Sequence, residues 1–201
     1  MTILNTISLE SNKQIKINFD GGDLSSDGGL LLIKVFAARI GFIKLIQKLF
    51  KTNDRATCRI HTDPENLMQV IYQIIAAYFE DDCADELAKD PVMNAILEKD
   101  KLASQPTLSR FWNRMDIDTL AQFSEIASRM REIIYSIHTP EQMLFDLDST
   151  LLNTYGAQEG EGFNFQYQAH GYHPLLCYDG IPGDLLKAEL LEGTQLLQQR
   201  G

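Results

Sequence analysis

Two aspartates, Asp146 and Asp148, interrupt an apolar run at residues 143–154, which reads MLFDLDSTLLNT. In a β-strand, alternate side chains point to opposite faces, so the two carboxylates share one face and Phe145 and Leu147 share the other. Carboxylates on one side of a buried strand repel each other and resist desolvation unless a cation or a hydrogen-bond network compensates them. The spacing therefore predicts a functional site at this strand, and the alternative is a solvated strand end that leads into a turn.

The composition is that of a globular protein with an acidic balance. Its 201 residues suffice for one large or two small domains, and the formal net charge of −10 argues against nonspecific coating of nucleic acid. No apolar run is long enough to cross a bilayer, and the first residues lack the pattern of a secretion signal. The three cysteines are scattered without CxxC spacing, so we expect reduced thiols in a cytoplasmic protein with no membrane partner.

Helical spacing of apolar residues dominates the chain as far as the segment before the two aspartates, and strands follow it. Proline beside an N-cap acceptor marks helix starts at Asp63 and Asp90, Gly41 marks a break between helices, and the turn sequence DGIPG at 179–183 predicts a hairpin. The expected fold class is α+β. The predicted helices cover 30–50, 63–79, 90–97, 104–115 and 118–137, and the predicted strands cover 14–19, 143–152, 172–178 and 184–190.

The stretch at 104–115, which reads SQPTLSRFWNRM, predicts a short helix preceded by two others with a tight link. Such an arrangement near residues 82–115 is typical of a helix-turn-helix reader of DNA. Arginine and asparagine make bidentate contacts to guanine and adenine edges. The alternative is that Phe111 and Trp112 simply dock this helix into a bundle. The candidate DNA-binding residues are Thr107, Ser109, Arg110, Asn113 and Arg114.

The sequence FDLDST also resembles the first motif of haloacid-dehalogenase-type phosphatases. That resemblance implies Asp146 as the nucleophile and Asp148 as the general acid/base, with Mg²⁺ between the substrate phosphate and the carboxylates. Two features depart from that family. Ser149 stands where its motif has glycine, and a predicted hairpin follows where its fold needs a strand-helix-strand crossover. This phosphatase remains an alternative.

A longer resemblance covers residues from about 14 to 193. The run DLDSTLLNTYGAQEG, followed by FNFQYQAHGYHPLLCYDGIPGDLLKAELLEG, is similar to the opening of the catalytic domain of group-one DDE insertion-sequence transposases. The segments FDGGDLSSDGGLLL, YFEDDCADELAKDP and LASQPTLSRFWN resemble the amino-terminal region of the same family. Several separate motifs occur in the expected order.

The resemblance implies an RNase H-like fold whose first strand carries the first acid of a DDE triad. That acid maps to Asp148, and Asp146 is its neighbour in the metal site. The chemistry implied is phosphoryl transfer at the element's terminal DNA repeats, with two Mg²⁺ ions. The implied domains are a mostly helical, DNA-binding region at 1–140 and the start of an incomplete RNase H-like domain at 141–201. Matching segments also contain Tyr155, His170 and His173, to which we assign no role.

The chain departs from these relatives because the second aspartate and the glutamate of the triad are missing from it. We also expect the similarity to fail after Gly193, where the sequence reads TQLLQQRG. The sequence therefore predicts a truncated copy without cleavage activity. Its remaining partners would be DNA, a second copy of itself or an intact transposase in a mixed assembly. A module that only binds DNA and inhibits transposition is the third hypothesis.

Overall fold

The computed structural model describes residues 6–8, 16–18, 27–56, 58–165 and 167–191. These residues have the predicted α+β composition, with a pair of short strands, then the helices and then a five-stranded sheet. They belong to two compact units, residues 1–126 and 127–201. The boundary at 140/141 was predicted between a DNA-binding region and the start of a catalytic domain, and that functional division stays a prediction.

The first unit contains two short strands and six helices in its described part. The strands pair antiparallel, with Ile7 opposite Ile17, and the predicted strand at 14–19 lies partly outside the described residues. A further helix, α7 (Ile117–Ile137), extends from the first unit into the second and agrees closely with the predicted span. The other elements are β1 (Thr6–Ser8), β2 (Lys16–Asn18), α1 (Leu30–Arg39), α2 (Phe42–Leu49), α3 (Asp63–Ile75), α4 (Cys83–Leu87), α5 (Pro91–Leu97) and α6 (Gln105–Trp112).

The helix boundaries follow from local chemistry. Asp90 accepts hydrogen bonds from the backbone N–H groups at the start of α5, as predicted. The cap of α3 is Thr62 and not Asp63, because Thr62 and Glu65 exchange side-chain and backbone hydrogen bonds as a capping box. The helix ends at Ile75, before the predicted residue 79, since Ala77 takes a left-handed φ of 67°.

The apolar core of the first unit lies where the helices meet. Ile46, Met93 and Phe111 are completely buried, each with an exposed fraction of 0%. The Phe111 ring of α6 also contacts the Phe50 ring, with their centroids 5.9 Å apart. The apolar face of α6 is therefore docked into the bundle, which leaves its opposite face for other contacts.

The second unit is a five-stranded sheet built around one long central strand. β6 (Ala169–Asp179) pairs with each of the other four strands. The predicted strand at 143–152 is divided, because residues 150–151 separate its two pieces. The partners of β6 are β3 (Phe145–Ser149), β4 (Leu152–Asn153), β5 (Gly162–Asn164) and β7 (Asp184–Leu191).

The hairpin between β6 and β7 has the predicted form. Asp179 and Asp184 are opposite each other, and Gly183 takes a φ of 82° that favours glycine. All strand pairs of the described residues are antiparallel. This topology differs from the parallel, helix-crossed sheet that the phosphatase alternative requires.

Candidate functional site

The two aspartates of the DLDST segment lie on β3, as predicted. Asp146 is opposite Tyr178 and Asp148 is opposite Leu176 in the antiparallel register with β6. Their spacing of two residues places both carboxylates on one face of the strand. The Oδ1 atom of Asp148 accepts a hydrogen bond of 2.8 Å from the backbone N–H of Ser149. This local bond fixes one carboxylate oxygen and leaves the other available for a ligand.

The strand that carries these aspartates is exposed on both faces. Phe145 is 66% exposed and Leu147 is 64% exposed, and Asp146 and Asp148 are exposed on the opposite face. The prediction of a buried strand is therefore wrong for the described residues. Desolvation is not what constrains the two carboxylates, because water and dissolved ions reach them directly.

The acids of the second unit do not form a closed metal site. Within the described ranges, no group of three His, Cys, Asp or Glu residues has a geometry that could hold a metal ion. Asp148 and Asp146 are thus a pair of accessible oxygen ligands and not a complete centre. Any metal ion bound there would need further ligands from water, from DNA phosphates or from other carboxylates.

Asp179 has a structural position that the sequence did not reveal. It is 1% exposed, and its Oδ1 atom accepts hydrogen bonds from the backbone N–H groups of Leu144 (3.3 Å) and Ile181 (3.2 Å). Asp179 therefore joins the hairpin turn to the chain that enters β3. The available signal was its place as the first residue of the DGIPG turn, where aspartate commonly accepts from the backbone.

The three residues left without a role lie in different environments. Tyr155 is 89% exposed. The His170 ring contacts the Phe163 ring, with centroids 5.2 Å apart. His173 lies inside β6 and is buried beside the Tyr167 ring. Among the described residues, neither histidine forms a metal-binding group with Asp148.

The five candidate DNA-binding residues are divided by the structure into exposed and engaged groups. Arg110 and Asn113 are exposed on or just after α6. Thr107 and Ser109 are half-buried, and the Thr107 hydroxyl lies 3.1 Å from the Ser104 hydroxyl. Arg110 and Asn113 are therefore the two side chains of this group that can approach a DNA base without rearrangement.

Arg114 belongs to a network of ion pairs near the start of α3. Its two terminal nitrogens contact Asp54 at 3.2 Å and Asp63 at 3.3 Å. Arg59 contacts the same two carboxylates, at 3.3 Å and 2.6 Å. Two arginines and two aspartates thus form a closed arrangement of alternating charge, which local sequence patterns did not predict.

The Asp63 carboxylate is the centre of this network. Burial by itself raises the pKa of Asp63, but hydrogen bonds from Thr52 and the Arg59 guanidinium outweigh it and hold the pKa below its ordinary value. The Thr52 backbone N–H and hydroxyl both donate to Asp63 Oδ2 at 2.9 Å. Asp63 is therefore ionised near neutral pH and able to pair with both arginines.

Comparison with protein-family models gives a match to the family described as transposase DDE domain group 1, over residues 7–198. The chain belongs to this family. The match extends past Gly193, so our expectation that the similarity fails at that residue is wrong. Comparison with curated proteins and with solved structures gave no match.

Membership indicates a general function in DNA transposition, with DNA as the partner and a divalent metal as the usual cofactor. Among the helices of the described residues, none combines the length and the apolar character needed to cross a bilayer.

Proposed function

We propose that this chain acts in DNA transposition through an RNase H-like domain whose first strand is β3. Asp148 is the first acid of the DDE triad in this proposal. The observation that carries it is the exposed carboxylate of Asp148, on the first strand of an antiparallel sheet and inside the segment that the transposase family matches. Asp146, on the same face of β3, is the supporting acid.

The chemistry of these side chains suits Mg²⁺. That ion prefers oxygen ligands and usually binds through one or two carboxylates, with water and substrate phosphates as its other ligands. Asp148 and Asp146 would hold it, and the Ser149 backbone N–H would keep the Asp148 carboxylate oriented. When bound in pairs, such ions activate a nucleophile and stabilise the leaving oxygen during phosphoryl transfer.

Two carboxylates do not complete a two-metal centre. Since the described residues offer no third ligand close enough, we expect the 201-residue chain alone to bind DNA without cleaving it. Association with an intact transposase, or with a second copy, is supported by β3. This strand pairs with β6 alone among the described strands and exposes Phe145 and Leu147.

The DNA-reading surface in this proposal is the exposed side of α6. Arg110 and Asn113 carry the side chains that recognise guanine and adenine edges, and both are exposed. Phe111 fixes the opposite side of the helix in the core. Asp85 of α4 also holds the start of α6, because its carboxylate accepts from the Gln105 backbone N–H at 3.1 Å.

The test is a gel-shift titration of the purified chain with duplexes that carry the element's terminal repeat or a scrambled sequence, with Mg²⁺ present. We expect preferential, salt-sensitive binding to the repeat and no nicked product. Arg110→Ala should lower affinity for the repeat about tenfold and reduce discrimination, since a bidentate base contact is worth about 1–3 kcal/mol.

The matched control is Arg129→Ala, which removes the same charge from an exposed position on α7. This variant should retain discrimination between the two duplexes. Equal losses in both variants would show that charge alone determines binding. Absence of any preference for the terminal repeat in the unmodified chain would contradict the DNA-recognition proposal, and a nicked product would contradict the expected inactivity.

A further inference from the structure

Arg114 lies two residues after the end of α6, and its guanidinium is engaged in protein contacts. Its terminal nitrogens pair with Asp54 and Asp63, at 3.2 Å and 3.3 Å. Its third nitrogen, Nε, is buried and has no hydrogen-bond partner among the described residues. The guanidinium carbon lies 5.9 Å from the centre of the Phe111 ring. Both terminal nitrogens are thus engaged in ion pairs within the protein, and the third nitrogen is shielded from solvent.

The two aspartates that hold Arg114 are themselves fixed. Asp63 is 3% exposed and lies in the first turn of α3, where it also accepts from Thr52 and Arg59. Asp54 lies in the segment between α2 and α3 and pairs with Arg59 as well. Arg114 therefore connects the end of α6 to two other parts of the first unit, with one terminal nitrogen on each carboxylate.

We propose that Arg114 is a positioning residue, which orients α6 so that Arg110 and Asn113 present their side chains to DNA together. The inference rests on the proposed function of α6. A planar guanidinium can pair with two separate carboxylates at once, whereas a lysine ammonium is a compact point charge on a flexible stem. Charge at position 114 is therefore not sufficient, and the fork geometry of arginine is required.

The first experiment measures DNA binding against salt concentration for Arg114→Lys. If Arg114 contacted phosphate through its charge, lysine at this position would bind DNA equally well. Deleting the charged side chain would then lower the slope of log affinity against log salt by about one. We expect instead an unchanged slope and about a tenfold loss of preference for the terminal repeat over the scrambled duplex.

A second variant removes a partner of Arg114 and leaves α6 itself unchanged. Asp54→Asn deletes a negative charge, which by simple electrostatics would strengthen DNA binding. Positioning predicts the opposite result, a loss of preference for the repeat similar to that of Arg114→Lys. Glu80→Gln, which deletes the same charge at an exposed position, is the matched control and should retain the preference.

A readout without DNA separates failure of this inference from failure of the proposed function. The backbone amide resonances of Arg110 and Asn113 should shift in Arg114→Lys and in Asp54→Asn, and should stay in place in Glu80→Gln. Unchanged resonances in the first two variants would overturn the positioning role, whatever the chain does with DNA. Shifted resonances in a chain that never prefers its repeat would support positioning and contradict the DNA-reading role of α6.

Discussion

The helical unit (residues 1–126) and the sheet unit (residues 127–201) differ in the environment of their carboxylates. In the helical unit, Asp63 is buried and bonded to Thr52, Arg59 and Arg114, so its charge holds three parts of the chain together. In the sheet unit, Asp148 is exposed on β3, and its carboxylate accepts a hydrogen bond from the next residue along the chain. The Asp63 carboxylate therefore has a structural role, whereas the Asp148 carboxylate is accessible from solvent.

The apolar residues of α6 and β3 show the same contrast. Phe111 is buried among the helices, whereas Phe145 and Leu147 of β3 are more than half exposed. A strand with exposed apolar side chains and an unpaired edge is an unfavourable surface unless another chain covers it. Phe111 therefore anchors α6 in the core of the helical unit, whereas the apolar side chains of β3 have no comparable cover among the described residues.

The largest expected effect is a difference in unfolding free energy between two truncations, one of a buried side chain in the helical unit and one of an exposed side chain on β3. Phe111→Ala should destabilise the helical unit by about 3–5 kcal/mol, because it removes a buried aromatic ring and leaves a cavity. Leu147→Ala should change stability by no more than about 0.5 kcal/mol, since Leu147 is 64% exposed.

The stability of each unit is followed by its own probe. The chain's single tryptophan, Trp112, reports urea unfolding of the helical unit by fluorescence, and hydrogen exchange of β6 amides reports the sheet. If Leu147→Ala lowered the unfolding free energy as much as Phe111→Ala does, Leu147 would be packed in solution. The contrast between a buried Phe111 and an exposed Leu147 would then be wrong.

A smaller effect depends on pH. Because the pKa of Asp63 is below its ordinary value of 3.8 in the folded chain, its ionised form stabilises the helical unit above that value. This contribution is lost as the pH falls through the folded pKa. The difference in unfolding free energy between the unmodified chain and Asp63→Asn should therefore narrow as the pH is lowered below 3.8.

Thr52→Val provides a graded version of the same test. It removes one hydroxyl donor to Asp63 and retains the backbone donor. We expect the unfolding free energy of the helical unit to fall by about 1 kcal/mol at neutral pH. The difference from the unmodified chain should again narrow as the pH is lowered. A constant difference across this pH range, followed by Trp112 fluorescence, would mean that Asp63 does not stabilise the unit through its charge.

Local sequence signals predicted most elements of the fold. The proline after Asp90, the break at Gly41 and the turn before Gly183 each act within a few residues, and each is present in the structure. The cap of α3 was predicted one position late because Thr62 and Asp63 are adjacent and both are good cap residues. The left-handed conformation at Ala77 carries no composition signal, so the end of α3 was predicted too far along.

Contacts between distant residues could not be predicted in this way. Asp54 and Arg114 are far apart in the chain, and no periodic pattern connects them. For the candidate site, the spacing of Asp146 and Asp148 correctly gave a strand with both acids on one face. Alternation of polar and apolar residues does not reveal whether a partner covers the apolar face, which is why the exposure of Phe145 and Leu147 was missed.

The most direct test of the account is paramagnetic broadening by Mn²⁺, which uses the same oxygen ligands as Mg²⁺. We expect low Mn²⁺ concentrations to broaden the amide resonance of Ser149 first, because its N–H donates to the Asp148 carboxylate. Asp148→Asn should abolish this broadening, and Glu159→Gln, at an exposed position, should retain it. Broadening that begins elsewhere, or persists at Ser149 in Asp148→Asn, would contradict the assignment of Asp148 as the metal-binding acid.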